Sequence, residues 1–404
     1  MDIIVIGAGA SGLFASGGCA KKGNNVTLIE RNEKVGKKLY ITGKGRCNIT
    51  NLCSFQDFLE NVPTNPKFLY SAISSFSSYD TMHFFEEHGQ KLKVERGNRI
   101  FPESDKSSDI IKTLQNYCKE NGVDIKLSEQ VLDCYKNNQT NKFIVKTTKG
   151  VYECDKLIFC TGGKSYSATG SDGFSYKLAK KFGHTIVEPK PALCPIKLKD
   201  RWTVNVEGLS LKNVTLSAYS KNKLIKSEFG EMLFTSDGIS GPIVLTLSSY
   251  INRYKDISLS LDFKPALSYD MLDKRLLREF DANKNSQIST VMKNLLPKNL
   301  VAIFLDSNGV DGDIKVNTIT VEQRNKIVRR LKNFSLKFDS LYDINYAIIT
   351  SGGVSVNEVN PKTMESKLVS NLYFAGEILD VDALTGGFNL QIALSTANCI
   401  VKGV

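Results

Sequence analysis

The chain's pattern opens on four consecutive apolar residues, Ile3 to Ile6, a run too short for a helix and without the alternation of a half-wet strand. A strand covered on both faces of a parallel sheet reads this way. Gly7-x-Gly9-x-x-Gly12 follows, then helical periodicity to about Lys22, a Gly23-Asn24 stop, and a second apolar run from Val26 to Ile29 that ends in Glu30. Strand, glycine turn, helix and strand in that order predict a βαβ unit.

Further on, "SSYDTMHFFEEHGQ" predicts a helix with Met82, Phe84 and Phe85 on its apolar face and a stop at Gly89. A second helix begins near Ser108, with Ile111, Leu114 and Cys118 on one face and Asn121-Gly122 at its end. The alternating runs "VDIKLSEQVLDCY", "KFIVKTT" and "VYECDKLIFC" predict a small β-meander that returns to the parallel sheet. From Cys194 to Tyr342 the texture changes to strand-like "VTLSAYS" and "GEMLFTS", then to amphipathic "DMLDKRLLREF", "TVMKNLLPKNLVAIFL" and "VEQRNKIVRRLKNF". The C-terminal stretch reads like the first again: "NLYFAGE" is a strand, and "ALTGGFNLQIALSTANCIVKG" is a Gly386-Gly387 turn opening an apolar helix. These textures predict one discontinuous domain, 1–193 with 343–404, and an insertion at 194–342 with a β part (about 194–265) and a helical part (about 266–335).

The glycine spacing has a mechanical reading. Gly7 makes the tight turn, Gly9 lets backbone approach a pyrophosphate, and Gly12 permits close packing of helix on strand, while the helix N-terminus offers N–H donors. Glu30, 18 residues after Gly12, is placed to accept from ribose hydroxyls, which favours FAD or NAD over NADP. "GKKLYITGKGRCNITN" begins six residues later, where Lys37, Lys38, Lys44 and Arg46 can approach phosphates and Gly43 and Gly45 let the chain come close. Thr161-Gly162-Gly163, and Gly376-Glu377 ahead of the Gly386-Gly387 helix, are further places for a dinucleotide. That last helix start suits negative charge on a reduced flavin ring.

A redox reading of Cys47 and Cys53 competes with the cradle. Disulfide-reductase flavoproteins space such a pair C-x4-C, whereas five residues separate these two, and no second G-x-G-x-x-G marks a nicotinamide site. A structural Cys47 is therefore expected. Nine dispersed cysteines without C-x-x-C argue against a disulfide framework and point to a reducing, cytoplasmic setting. No His/Cys/carboxylate set has metal-ligand spacing, and no His/Asp or paired-carboxylate constellation marks a catalytic acid or base, so no catalytic residue is assigned. The net charge of +11 suits anionic ligands, yet its lysines are dispersed and no K/R block occurs, so nucleic acid is not the expected partner. No apolar run reaches the ~18 residues that a membrane span needs, and nothing in the pattern fixes an oligomeric state.

Residues 1–53, 156–172 and 350–403 together resemble the bacterial family of FAD-dependent NAD(P)/FAD oxidoreductases that includes aminoacetone-oxidase-like and bile-acid-inducible reductase-like flavoproteins. "GKKLYITGKGRCNITN", "GEMLFTSDGISGP", "TSGGV" and "AGEILDVDALTGGFNLQIA" carry the likeness. The resemblance implies an α/β, Rossmann-like FAD-binding domain built from N- and C-terminal segments, with an inserted β-barrel-like unit and small helical domain that shape the substrate pocket. It implies FAD contacts at Gly7, Gly9, Ser11, Gly12, Glu30, Arg31, Lys37, Lys38, Gly43, Arg46, Thr161, Gly162 and Gly163. Val131 is implied to meet adenine, and Gly376, Glu377, Gly386, Gly387, Asn389 and Leu390 the ribityl chain and flavin ring. The implied activity is hydride transfer between a small organic substrate and flavin N5, with NADH, NADPH or dioxygen completing the cycle. An RNA-modifying flavoprotein of the tRNA-acting kind and a redox-sensing FAD protein are the alternatives.

Overall fold

The computed structural model describes residues 1–404 and divides into two compact units, Met1–Ala192 with Ile344–Val404, and Leu193–Asp343. Each has its own apolar core.

In the first unit the apolar runs become five parallel strands: β1 (Asp2–Ile6), β2 (Asn25–Ile29), β3 (Asp124–Lys126), β4 (Lys156–Phe159) and β5 (Leu372–Phe374). Their order is β5-β4-β1-β2-β3, the doubly wound 3-2-1-4-5 arrangement, and every pairing is parallel. Val5, Leu28, Ile158 and Phe374 are wholly or almost wholly shielded from solvent, as a sheet covered on both faces demands. The helix Ala10–Lys21 packs beside the C-terminal helix Phe388–Gly403 and the helix Ser107–Glu120, so the chain's two ends share one core.

"VDIKLSEQVLDCY" is not one run of the meander. Asp124–Lys126 joins the parallel sheet as its edge, and the meander starts afresh at Val131–Lys136, pairing with Phe143–Thr147 and then Val151–Cys154. Left-handed Ser128, at φ 53°, sits in the loop between the two strands.

The second unit is built on a seven-stranded antiparallel sheet. Its edge strands, Phe334–Leu336 and Phe338–Leu341, are separated by Lys337 alone, so the two edges must meet and the sheet curls into a barrel. Two details differ from the pattern-based expectation. Pro242–Ile251 is a helix inside the β part, and residues after Lys332 leave the helical part to complete the barrel. Gly241 and Pro242, a turn and a proline at the first helical position, are the signal that marks that helix.

Candidate cofactor site

In a 3-2-1-4-5 sheet the connections leave β1 and β4 in opposite directions, which opens a crevice at their carboxyl ends. The loops after these two strands are Gly7–Gly9, which runs into the helix Ala10–Lys21, and Cys160–Gly163. Gly7 has φ +97°, and a Cβ there would lie 2.7 Å from the Cys160 carbonyl oxygen. A Cβ on Gly12 would lie 1.8 Å from the Gly7 oxygen, so both positions are closed to any side chain. Gly9 is different: its φ is −82°, and a Cβ would meet nothing within 4 Å. Open volume thus faces the start of the Ala10–Lys21 helix, whose first turn has no side-chain cap and no acid. Those N–H groups and that space suit a pyrophosphate.

Glu30 is buried and fastens the loop. One carboxylate oxygen accepts from the Ala8 N–H at 2.8 Å, the other from the Asn32 N–H at 2.9 Å and from its side-chain amide at 2.6 Å. Oε2, with a single donor, keeps acceptor capacity for a ribose hydroxyl. Among the buried polar atoms without a hydrogen-bond partner are Thr161 Oγ1, two residues past β4, and Asn48 Oδ1, within the 36–51 stretch. Buried polar groups are rarely left so, and these two fit a bound polar ligand. FAD fits the residues present: the open volume at Gly9, the free helix N–H groups and these two orphaned polar atoms.

Lys38, Ser165, Thr350 and Glu377 form one network. Lys38 Nζ donates to Glu377 Oε2 at 2.6 Å and to Ser165 Oγ at 2.7 Å, while Glu377 Oε1 accepts from the Thr350 N–H at 2.9 Å and from Ser165 Oγ at 3.1 Å. The network ties the segments after β2, β4 and β5 to the strand Ile349–Val354. Gly376 sits against Ser11, where a Cβ would come within 2.9 Å of Ser11 Oγ. Gly387, at φ +99°, precedes the uncapped Phe388–Gly403 helix, and its backbone lies so close to Thr50 that a Cβ would be 2.4 Å from the Thr50 oxygen. Asn51 donates to the Gly386 oxygen at 3.1 Å, and Asn389 bonds Ala383 in both directions. Leu390 is half-buried beside them on the same helix.

The structure thus brings together Gly7, Gly9, Ser11, Gly12, Glu30, Lys38, Thr161, Gly162, Gly163, Gly376 and Glu377, with Gly386, Gly387 and Asn389 at the second helix start. The remaining expected residues have partners or positions of their own. Lys37 pairs with Glu33, four residues earlier, at 2.8 Å. Arg31 pairs with Asp172. Arg46 lies 4.2 Å above the Phe101 ring, bonded to Glu95 and to Asp105 at 2.8 Å. Its guanidinium holds the Glu95 carboxyl below the usual range, and Lys93 followed by Arg46 does the same for Asp105. Gly43 lies at φ +57° in the loop beside Asn48, and Val131 opens the antiparallel meander. Asn48, Asn51, Ser165 and Thr350 were not among the expected residues, although "RCNITN" and "TSGGV" contained three of them.

Cys47 is fully buried, and burial pushes its thiol up to about 12. Cys53 is raised as well, by partial burial and then by Asp57, and all nine cysteines are free thiols. Neither residue is an activated thiolate. Brief iodoacetamide treatment of the native protein should therefore label Cys53 ahead of Cys47, which peptide mass spectrometry would show; rapid labelling of Cys47 would revive the redox pair.

Cys19, Cys118, Cys134, Cys154 and Cys160 are likewise raised to about 12 by burial. Their folded values lie above the unfolded value near 9, so their contribution to stability is complete below pH ~9 and is lost as pH rises towards 12. Melting temperature should fall steadily between pH 9 and 11, and a Cys47→Ala, Cys160→Ala double variant should show a shallower fall in the same scan.

Comparison with known proteins adds three findings. The family model described as HI0933-like protein Rossmann domain matches residues 1–402. A ribosomal RNA dihydrouridine synthase of Haemophilus influenzae is 30% identical over 399 residues, covering 98% of this chain and 96% of that one; a 3-dehydro-bile acid delta(4,6)-reductase of Clostridium scindens is 28% identical over 398 residues, covering 97% and 96%. Among solved structures, 3-ketosteroid delta1-dehydrogenase from Sterolibacterium denitrificans superimposes with a TM-score of 0.52 at 11% identity, over 100% of this chain and 99% of that one, a likeness of fold.

Proposed function

This chain belongs to the HI0933-like Rossmann family and is a flavoprotein oxidoreductase; from that premise we propose that it reduces a carbon–carbon double bond conjugated to a carbonyl, with uridine in ribosomal RNA as substrate. The observation that carries this reading is the convergence of two relatives that align end to end with this chain. Dihydrouridine synthesis saturates the double bond next to the uracil carbonyl, and a delta(4,6)-reductase acting on a 3-dehydro steroid saturates bonds conjugated to its ketone. In uracil and at the steroid Δ4 bond the carbon β to the carbonyl takes a hydride and the α carbon a proton; at the steroid Δ6 bond the conjugated δ carbon takes the hydride and the γ carbon ends with the proton, and in each case one π bond is lost.

Bound FAD would supply that hydride at N5 and regain it from NADH or NADPH. The chain's own part would be to seat the dinucleotide at two uncapped helix starts, the Gly9 opening and the Gly387 turn. The N-terminus of Phe388–Gly403 is suited to hold negative charge, and Asn51 and Asn389 fix the loop ahead of it. The insertion is proposed to carry the substrate. Uridine is favoured over a small enone by the 30% relatives and by the +11 charge, which gains weight once an RNA-acting relative is known. A small conjugated ketone is the second reading, favoured by the bile-acid relative.

The test mixes FAD-loaded protein, NADH or NADPH, and unmodified ribosomal RNA without oxygen, with nucleoside mass spectrometry for dihydrouridine and a parallel arm containing a 3-keto-Δ4 steroid. Dihydrouridine formation is the expected result. Steroid reduction alone would move the assignment to small enones, and nucleotide oxidation with neither product would overturn double-bond reduction.

A further inference from the structure

A cleft of about 720 Å³ lies in the second unit among the helices Tyr269–Ala282, Lys298–Asn308 and Val321–Lys332. It is lined by polar and apolar surface in about equal parts, is of ligand size, and is built within that unit alone. Two of its buried atoms lack partners. Asn308 is 2% exposed, and its amide nitrogen donates to the Phe304 oxygen at 2.6 Å, which leaves Oδ1 an unused acceptor. Arg330 packs its guanidinium over the Phe334 ring at 5.3 Å, and its Nε is an unused donor.

The charges point the same way. Lys326 and Arg329 are exposed on the wall and form no ion pair, whereas Asp273 is already neutralised by Arg324 at 2.7 Å. Asp270 is the one acid of the lining left without a cation. Tyr269 presents an aromatic ring, 45% exposed, whose hydroxyl is held by Asn333. An anion that also brings a hydrogen-bond donor, an acceptor and a flat ring complements such a cleft. A nucleotide of single-stranded RNA has all four: phosphate, 2′-hydroxyl, base carbonyl and base face.

We infer that this cleft is an RNA-docking site, holding a nucleotide of the substrate strand through Lys326, Arg329, Arg330, Asn308 and Tyr269. The inference rests on the RNA reading given under Proposed function, and it adds a place on the chain where the strand is held, in a different unit from the dinucleotide site.

The experiment is fluorescence anisotropy of a labelled oligouridylate 12-mer with FAD-loaded protein across a salt series. Lys326→Ala, Arg329→Ala should bind about tenfold more weakly and flatten the logarithmic salt slope by about 1.4, two phosphate contacts at about 0.7 each. Asn308→Asp, which keeps size but adds an anion, should weaken binding in the same direction. Lys112→Ala, Lys119→Ala removes the same charge from an exposed helix face of the first unit and should bind within about twofold of wild type. The flavin spectrum and its bleaching by NAD(P)H should be unchanged in all of them. Salt-sensitive binding by wild type that all variants share, or an equal loss in the Lys112/Lys119 control, would overturn the cleft while leaving the RNA reading in place. Absence of RNA binding and of dihydrouridine formation in wild type would overturn both.

Discussion

Valine in place of Gly9 is expected to give a folded protein that no longer holds flavin. The backbone there is extended, with φ −82° and ψ −166°, a region that β-branched residues adopt readily. No atom lies within 4 Å of the Cβ that would be added, so the fold has nothing to clash with. Valine is a poor residue at a helix N-cap, which costs about 1 kcal/mol. The branched side chain would instead occupy the volume before the first helical N–H groups, where the pyrophosphate has to lie. Flavin affinity should fall at least a hundredfold, about 2.7 kcal/mol, and the purified variant should be colourless while its far-ultraviolet circular dichroism matches wild type. Gly12→Val is the informative contrast. A Cβ 1.8 Å from the Gly7 oxygen drives the helix off the sheet, so that variant should lose solubility or melt far earlier. A Gly9→Val protein that retains full flavin would show that the pyrophosphate is seated elsewhere.

That contrast marks what a sequence can disclose. G-x-G-x-x-G, the buried strand runs and Glu30 are local signals, because turn chemistry and period depend on neighbours in the chain, and the sheet order follows once the C-terminal strand is placed beside β4. Ion-pair partners are not local. Arg46 reads in the sequence as a free cation near phosphates, yet its partners Glu95 and Asp105 lie 49 and 59 residues further on, and nothing in the spacing links them. Lys37 had its partner in view, Glu33 four residues before it. The Pro242–Ile251 helix was masked by its apolar composition, which a strand in a barrel also allows. The last barrel strands were hidden because Phe334–Leu336 follows an amphipathic helix with only Asn333 between them. Asn308 and Arg330 carry no sequence signal, since an orphaned atom exists only once the three helices surround it.

Breaking the Lys38–Glu377 pair should loosen the whole dinucleotide site, and a double-mutant cycle should reveal the two residues as one unit. Both side chains are about one-fifth exposed, 23% and 21%, which places the pair between a surface ion pair worth under 1 kcal/mol and a buried one whose disruption costs about 3–5 kcal/mol. Lys38→Met should cost about 2 kcal/mol, because Glu377 keeps its bonds from the Thr350 N–H and Ser165. Glu377→Ala should cost about 3 kcal/mol, since it leaves the Lys38 ammonium with Ser165 Oγ and no counter-charge, and the Thr350 N–H without its acceptor. The double variant should fall short of the sum by about 1–2 kcal/mol, the size expected of groups in one network. Glu377→Gln separates charge from shape: an amide oxygen can still accept from Thr350, so it should be milder than alanine yet leave Lys38 unpaired. Flavin dissociation followed by fluorescence should quicken in the same order, because the network joins the segments after β2, β4 and β5. Strict additivity would mean that the two residues act independently. A normal flavin off-rate in Glu377→Ala would mean that the network stabilises the fold without shaping the cradle.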